Sequence, residues 1–174
     1  QSYASDNWRR FDKSGDIACG NIGLLQCFLG GQDEEWFILI HIEIEKKAGK
    51  ALKAIEDAQH AVLENDAEKV EVALTKLRNA LAAMYEVLGR MPERCDPYIY
   101  FHRVRPYIFG WRNNPSLPDG VIYEGVDEYK GIGQNFRGET GAQSAIIPAM
   151  DGILGIEHER DELREYLMEM RTYM

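Results

Sequence analysis

The chain has 174 residues, of which 45% are hydrophobic and 28% are charged, and this suits one globular domain with a substantial core. Its net charge of −9 argues against nucleic acid or an anionic membrane as the main partner, because either would favour a basic protein face. The longest apolar run, from Trp36 to Ile42, is interrupted by His41 and is too short to span a membrane.

The cysteine pattern indicates the redox compartment of the protein. Cys19, Cys27 and Cys95 are widely spaced and form no CxxC motif, which favours a reducing compartment without disulfides or a zinc site. We therefore expect a cytoplasmic protein.

The sequence begins at Gln1 without Met and stops at Met174 inside a helix-like pattern that lacks a cap. These ends lead us to expect a fragment of a longer protein.

The first elements are predicted to be irregular and then helical. Residues 1–16 lack periodicity, and the apolar residues 17–29 are predicted as a short helix. The next stretch is ambiguous, because isoleucines alternate with other residues from 38 to 44 as they would in a strand. Since the following apolar residues recur every three or four positions without an intervening turn signal, we predict one long helix from about 33 to 64.

Two more helices are predicted in the middle of the chain. Asn65-Asp66 provides the cap of a second helix that ends at Gly89, and this short link predicts an antiparallel helical hairpin. A third helix is predicted from about 96 to 110. Pro106 should kink or interrupt it, because proline lacks the backbone N–H that the helix needs.

The remaining third of the sequence combines a long loop with further helices. Residues 111–140 hold prolines, glycines and scattered aromatic residues without periodicity, and a loop of this length is usually functional or disordered. Its aromatic and aliphatic content argues against disorder. Helices are predicted again at about 143–156 and 158–173. No strand is predicted, so the fold class is all-α: one domain over 1–174, a helical bundle with one long irregular loop.

The four histidines of the sequence are candidates for metal or ligand binding. His60, His102 and His158 form no HxxxH or ExxH pair, so the sequence gives little support for a metal site within the chain. His41 stands out because it is a polar residue inside the apolar sequence WFILIHIEI. Two interpretations remain open: a core histidine with local hydrogen bonds, or a histidine that points into a ligand cavity.

Arginines among aromatic rings form a second candidate. Arg103 and Arg105 lie among four aromatic residues between positions 98 and 107. A partly desolvated guanidinium can bind a carboxylate through two parallel hydrogen bonds, whereas the alternative is pairing with acidic side chains of neighbouring helices. The sequence GETGAQS at 138–144 is either a loop with a helix cap or a segment whose backbone approaches a flat ligand closely.

Two long stretches of the sequence resemble the indoleamine 2,3-dioxygenase family. Residues 94–126 read RCDPYIYFHRVRPYIFGWRNNPSLPDGVIYEGV, with an aromatic pair, an arginine four positions later, and then GW, NP and DGxxYEG. Residues 138–156 read GETGAQSAIIPAMDGILGI, with small residues before Gln-Ser. Asn7-Trp8 and the helix WFILIHIEIEKKAGKALKAI also match, so the resemblance covers most of the chain.

This resemblance implies an all-α protein that binds haem b. It implies that the full-length protein uses O₂ to open the indole ring of L-tryptophan or a related indole and gives N-formylkynurenine. In this sequence Tyr100 and Phe101 match the aromatic pair that packs on the indole. Arg105 matches the arginine that binds the substrate carboxylate.

The resemblance assigns further residues to the pocket. Thr140 matches a hydroxyl near haem and substrate, and Gly141 and Ala142 match the small residues beside it. His41 falls at the distal position over the iron, where vertebrate members carry serine. The loop 111–140 would then line and cover the pocket.

Departures from the family pattern modify these expectations. The proximal histidine that ligates the iron is expected beyond Met174, because His158 lies too close to the small-residue motif. The chain alone is therefore expected to be inactive, to lack haem, and to expose apolar helix faces through which it could self-associate. Tyr100 replaces the phenylalanine of vertebrate members, and its hydroxyl needs a partner if it is buried.

Two alternative functions fit the same residues. One is a haem- and indole-binding relative that catalyses a different reaction in secondary metabolism. The other is a helical haem- or ligand-binding module without turnover. A helical domain with no pocket fits the composition, but it leaves the arginines and rings of residues 97–126 unexplained.

Overall fold

The computed structural model describes residues 2–138, 144–158 and 162–171. Most of the described residues are helical, as predicted, and the strands form one two-stranded sheet. The regular elements in chain order are α1 (Ser2–Ser5), β1 (Trp8–Arg10), β2 (Ile22–Leu24), α2 (Gln32–Leu63), α3 (Ala67–Gly89), α4 (Pro97–Ile99), a π-helical turn (Tyr100–Val104), α5 (Arg105–Ile108), α6 (Ile146–Leu154) and α7 (Glu162–Arg171).

The N-terminal segment corrects two predictions. Residues 17–29 do not form a helix, and the expectation of no strand was wrong, because β1 pairs antiparallel with β2 in the register Trp8↔Leu24. The apolar side chains of this segment pack on α2 instead of forming a helical stripe, as Ile22 does against Ile38. The Cβ of a larger residue at Gly23 would meet the Phe11 ring, so the strand accepts only glycine there without a shift.

The long helix α2 confirms the prediction of a single helix over about 33–64. Its start is fixed by Glu34, which is fully buried. The backbone N–H groups of Phe28, Leu29 and Gly30 donate to the Glu34 carboxylate at 2.6, 2.9 and 2.7 Å. These three charge-assisted bonds satisfy a buried carboxylate and hold the preceding loop against the helix.

The predicted helical hairpin is also confirmed. The Asp66 carboxylate caps α3 by accepting from the Lys69 N–H at 3.0 Å. Small side chains let α2 and α3 pack closely, and residues of α6 complete this core. The buried members of the cluster are Ala48, Ala51, Ala54, Ile55, Leu77, Ala80, Met84, Ile146 and Met150.

Several large apolar side chains of α3 lie outside its buried face. Val72, Leu74, Tyr85 and Leu88 are exposed, whereas another face of the same helix is buried against α2. This agrees with the expectation of exposed apolar helix faces. Self-association of the chain stays a prediction. No helix among the described residues is long and apolar enough to cross a membrane.

Candidate functional site

The candidate site lies where residues 97–108, which we call the aromatic helix, pack against α2. Tyr100 contacts a buried cluster that contains Ile40 of α2, Val87 of α3 and Cys95. The Tyr100 ring lies on Phe37, with the ring centroids 4.3 Å apart and the planes tilted by 30°. This packing fixes the position of the aromatic helix relative to the middle of α2.

His41 extends the same stack of rings. It follows Phe37 by one helical turn, and the centroids of the two rings are 4.4 Å apart. The Nδ1 atom of His41 lies 2.8 Å from the Phe37 carbonyl oxygen. The structure therefore brings His41, Phe37 and Tyr100 together, and it gives His41 the local hydrogen bond that the core interpretation requires.

The protonation state of His41 follows from this environment. Burial lowers the pKa of His41, although the hydrogen bond to the Phe37 carbonyl partly opposes this effect. A carbonyl oxygen can only accept, so Nδ1 carries the proton of the neutral ring. Nε2 is then left with a lone pair that can accept a hydrogen bond. The core interpretation and the ligand interpretation of His41 are thus compatible.

The π-helical turn explains why Tyr100 and Arg105 lie together. Pro106 has no N–H, so the usual α-helical bond to the His102 carbonyl is missing. The N–H of the preceding residue, Arg105, donates to the Tyr100 carbonyl, five residues back. Five residues of an α-helix rotate by about 500°, so side chains at positions i and i+5 point in different directions. The i→i+5 hydrogen bond of a π-turn brings these two side chains to the same side of the helix. The sequence analysis expected an interruption at Pro106 but not this alignment.

Tyr100 carries a buried hydroxyl with an unusual environment. Among the described residues its oxygen has no hydrogen-bond partner. Burial raises the pKa of Tyr100, while the Arg105 guanidinium lowers it by approaching the hydroxyl oxygen as a hydrogen-bond donor and through its charge. This approach falls short of a complete hydrogen bond. A buried hydroxyl without a partner costs free energy, so this atom is suited to a polar group of a ligand or to a water molecule.

Arg105 is available to an anionic ligand. It is half-buried, and its guanidinium carbon lies 5.3 Å from the centroid of the Phe109 ring. Within the described part of the chain, neither Arg105 nor Arg103 forms an ion pair with a carboxylate. The alternative in which acidic side chains neutralise these two arginines is therefore not found there.

Phe101 does not share the environment of Tyr100. Its side chain is 65% exposed and meets the His102 ring edge-on, with centroids 5.1 Å apart. The Tyr98 ring also packs on the His102 ring, with the centroids 4.4 Å apart. The structure thus places one member of the aromatic pair against α2 and the other at the surface of the described chain.

Residues 110–138, which we call the aromatic loop, form a closed loop beside this helix. Its ends meet in an antiparallel bridge between Gly110 and Arg137, and the Gly138 N–H donates to the Phe109 carbonyl at 2.9 Å. A Cβ at position 138 would overlap the Ile108 carbonyl oxygen, so the backbones approach this closely only because residue 138 is glycine.

The interior of the aromatic loop has a small core of its own. Trp111, Tyr123, Tyr129 and Phe136 contact one another with centroid distances of 5.6 to 6.1 Å. The Trp111 indole N–H donates to the Gln134 carbonyl at 2.7 Å. The aromatic loop is therefore ordered by packing, as its composition indicated.

The small-residue motif begins where the aromatic loop closes. Thr140, Gly141 and Ala142 lie outside the described residues, and their predicted roles stay predictions. Gly138, which precedes them, is fixed against the end of α5 through Ile108 and Phe109. The chain therefore enters this motif from a position next to the helix that carries Tyr100 and Arg105.

A cavity of about 620 Å³ opens beside this point and was not predicted. This volume is in the range of small-molecule sites. Its lining combines the end of the aromatic helix with the N-terminal segment, and it includes none of His41, Tyr100 and Arg105. The lining residues are Asp6, Asn7, Leu25, Gln26, Cys27, Phe28, Tyr107, Ile108, Gly110, Trp111 and Gly138.

Comparison with known proteins identifies the family. The family model described as indoleamine 2,3-dioxygenase matches residues 2–174. The chain belongs to the indoleamine 2,3-dioxygenase family. Within it, the chain is 36% identical over 170 residues to indoleamine 2,3-dioxygenase 1 of Rattus norvegicus, covering 97% of this chain and 41% of that protein.

Other members of the indoleamine 2,3-dioxygenase family give similar values. Indoleamine 2,3-dioxygenase 2 of Homo sapiens is 34% identical over 168 residues, covering 97% of this chain and 40% of that protein. Indoleamine 2,3-dioxygenase nanC of Aspergillus nanangensis is 34% identical over 157 residues, covering 88% of this chain and 38% of that protein. The chain thus spans about two fifths of the length of the curated relatives it matches.

The chemistry of three described residues is compatible with the haem and substrate site that family membership implies. His41 offers a ring nitrogen that can accept a hydrogen bond, Tyr100 a buried hydroxyl, and Arg105 a guanidinium that forms no ion pair with a described carboxylate. Among the described residues there is no group of three or more His, Cys, Asp or Glu side chains that could hold a metal ion. The iron ligand predicted beyond Met174 stays a prediction.

Proposed function

We propose that the full-length protein is a haem-dependent dioxygenase that opens the indole ring of L-tryptophan or a related indole. N-formylkynurenine is the product expected from tryptophan. The observation that carries the proposal is the alignment of Tyr100 with Arg105 on the π-turn, next to the ring of His41. The haem, when bound, supplies the activation of O₂. This chain supplies the binding and orientation of the substrate.

Each residue contributes a specific contact in this proposal. Arg105 binds the substrate carboxylate, which is favoured because the guanidinium is half-buried and has no acidic partner among the described residues. Tyr100 packs on the indole and offers its hydroxyl to a polar substrate atom. His41, with Nδ1 committed to the Phe37 carbonyl, accepts a hydrogen bond at Nε2, as from an indole N–H.

The remaining assignments rest on family resemblance. Phe101 would contact the indole once the site is complete, because its ring is exposed in the described chain. Thr140, Gly141 and Ala142 would line the pocket next to the closed neck of the aromatic loop. The aromatic loop, whose rings pack on one another, would cover the pocket and exclude water.

The test compares two substrates in one haem-loaded protein. We expect Arg105→Gln to lower kcat/KM for L-tryptophan by roughly 10- to 100-fold, because it removes a charge-assisted hydrogen bond to the carboxylate. Tryptamine lacks the carboxylate, so its kcat/KM should change by less than about threefold. Arg103→Gln is the matched control, since Arg103 is exposed on the same helix. Equal losses for both substrates would contradict the proposed role.

A second candidate function is a different reaction on the same ligands. The buried Tyr100 hydroxyl favours it, because a site that hydrogen-bonds this atom could prefer a substituted indole. Mass spectrometry of the product formed under labelled O₂ separates the two functions. Incorporation of both oxygen atoms into a ring-opened product supports the dioxygenase, and any other product from tryptophan supports the alternative.

The third candidate is a binding module without turnover. An absorption spectrum of the chain titrated with haemin, with and without L-tryptophan, addresses it directly. A sharp haem band that shifts with tryptophan, without product, would support the binding module. A spectrum like that of free haemin is expected for this chain alone if the iron ligand lies beyond Met174.

A further inference from the structure

A second concave site lies between α2 and α3, and lysine is the commonest residue of its lining. It has a volume of about 740 Å³, and residues 16–18 of the N-terminal segment also line it. Lysines outnumber the carboxylates in this lining by five to two. The lysines are Lys46, Lys47, Lys50, Lys53 and Lys76, and the carboxylates are Asp16 and Asp57. We call this site the lysine groove.

The concentration of positive charge is unusual for this chain. The net charge is −9, and the whole sequence contains eight lysines, of which the lysine groove holds five. Four of the five lie within two turns of α2, where Lys46 and Lys50 are four residues apart and Lys50 and Lys53 three. Like charges at these spacings repel and destabilise a helix. The helix therefore bears a cost that a bound anion would relieve.

The ion pairs of the lysine groove leave positive charge unmatched. Asp57 is shared by Lys53 and Lys76, at 3.2 and 3.3 Å, and it thereby bridges the two helices. Lys47 lies 3.6 Å from its partner Glu43. Lys46 and Lys50 form no ion pair with any residue that the structure describes, and both are exposed. Two lysines thus have no carboxylate partner among the described residues, and Lys76 shares Asp57 with Lys53, which also pairs with Glu56 at 2.8 Å.

Small residues keep the lysine groove open. Gly49, Ala54, Ala80 and Ala83 form part of its lining. A Cβ at Gly49 would meet no atom within 4 Å, so packing does not require glycine at this helical position. Glycine in a helix interior costs about 1 kcal/mol relative to alanine. An added methyl group at Gly49 would leave the lysine groove open.

We propose that the lysine groove binds a compact polyphosphate, as inorganic triphosphate or as the phosphate chain of a nucleotide. Several ammonium groups on flexible stems suit the many oxygen atoms and dispersed charge of such a ligand. The lining residues that the structure describes include no aromatic side chain to stack on a base. Recognition is therefore directed at the phosphate chain. This inference is independent of the proposed dioxygenase function.

The test is calorimetric titration of the full chain with inorganic triphosphate and with ATP at low ionic strength. We expect saturable binding of both, weakened by added salt because the contacts are ionic. Lys46→Gln/Lys50→Gln should weaken triphosphate binding at least about tenfold, because it removes two charged donors that have no structural partner. Lys13→Gln/Lys130→Gln, which changes two exposed lysines outside the groove, should leave binding unchanged.

Two further variants separate the site from general charge effects. Asp57→Asn removes the carboxylate that pairs with Lys76 and one of the two that pair with Lys53. It should therefore tighten triphosphate binding severalfold, although it breaks a bridge between the helices. Gly49→Glu places a carboxylate in the groove and should abolish binding, whereas Gly49→Ala should preserve it. Both substitutions at Gly49 favour the helix, so loss of fold would not explain a difference.

Each outcome decides the proposal. Equal affinity for triphosphate and ATP supports recognition of the phosphate chain alone, and tighter binding of ATP identifies a nucleotide as the ligand. The proposal is overturned if triphosphate does not bind, or if the Lys13/Lys130 variant loses as much affinity as the Lys46/Lys50 variant. Binding confined to long nucleic acid or to anionic lipid vesicles would overturn it as well.

Discussion

The α2–α3 hairpin and the aromatic loop are stabilised by different kinds of interaction. The hairpin is held by many small buried side chains, such as Ala51 and Ala80, spread over two long helices. The aromatic loop depends on two close glycine approaches, at the Gly110–Arg137 neck and at the Val121–Gln134 bridge, and on four rings. Stability in the first region is distributed, whereas in the second it depends on a few positions with exact backbone requirements.

The largest effect is expected from Gly138→Ala at the neck of the aromatic loop. The added methyl group would overlap the Ile108 carbonyl, and the neck must open to accommodate it. We expect a local loss of about 4 kcal/mol, at the upper end for single substitutions. Hydrogen exchange should show lost protection at the Trp111 and Gly138 amides, with α2 and α3 unchanged.

Gly131→Ala is the matched control within the same loop. Gly131 has a positive φ of 70°, but a Cβ there would meet no atom within 4 Å. Backbone strain of about 1 kcal/mol should then be its only cost. If both variants lose the same protection, the close approach at the neck is not what closes the loop.

The next effect, Leu77→Ala, tests the hairpin. Leu77 is 2% exposed in the core between α2, α3 and α6, so its truncation should lower the free energy of unfolding by about 3 kcal/mol. Urea denaturation measures this loss. Unlike the change at Gly138, it should reduce exchange protection throughout both helices. A loss confined to a few residues around Leu77 would show that the hairpin is not one cooperative unit.

A smaller effect is expected from Trp111→Phe inside the aromatic loop. The substitution keeps a ring but leaves the Gln134 carbonyl without its indole donor, at a cost of about 1.5 kcal/mol. Trp8→Phe removes a comparable bond to the exposed Ser5 carbonyl and should cost less, because water can replace the donor. The free energy of unfolding of each variant, from urea denaturation, provides the measurement. Equal costs would mean that the interior of the loop is open to water.

The contrast between the two regions explains which features the sequence predicts. The hairpin follows from apolar periodicity and from Asp66 as a cap, both of which are local signals. The strand at Ile22–Leu24 and the π-turn at Tyr100–Val104 are set by tertiary contacts and by a missing donor at Pro106. Periodicity carries no information about either feature. His41 and Arg105 stand out by residue type, the other candidate residues follow from the resemblance, and the alignment of Tyr100 with Arg105 is visible only in the structure.

His41 lies where the hairpin meets the aromatic helix, because it belongs to α2 and packs in a stack of rings with Phe37 and Tyr100. Burial lowers its pKa below the ordinary value of 6.5, so the unfolded chain takes up a proton before the folded chain does. The stabilising contribution of the neutral ring is therefore complete above pH 6.5 and is lost as the pH falls towards the folded-state pKa.

The smallest predicted effect follows from this sign and appears only in acid. His41→Gln keeps a side-chain donor within reach of the Phe37 carbonyl but cannot titrate. The difference in unfolding free energy between wild type and variant should be constant above pH 6.5 and should shrink as the pH falls. Urea denaturation at a series of pH values measures it. A difference that grows in acid would mean that His41 is stabilised as the cation, and a cation could not accept the indole N–H at Nε2.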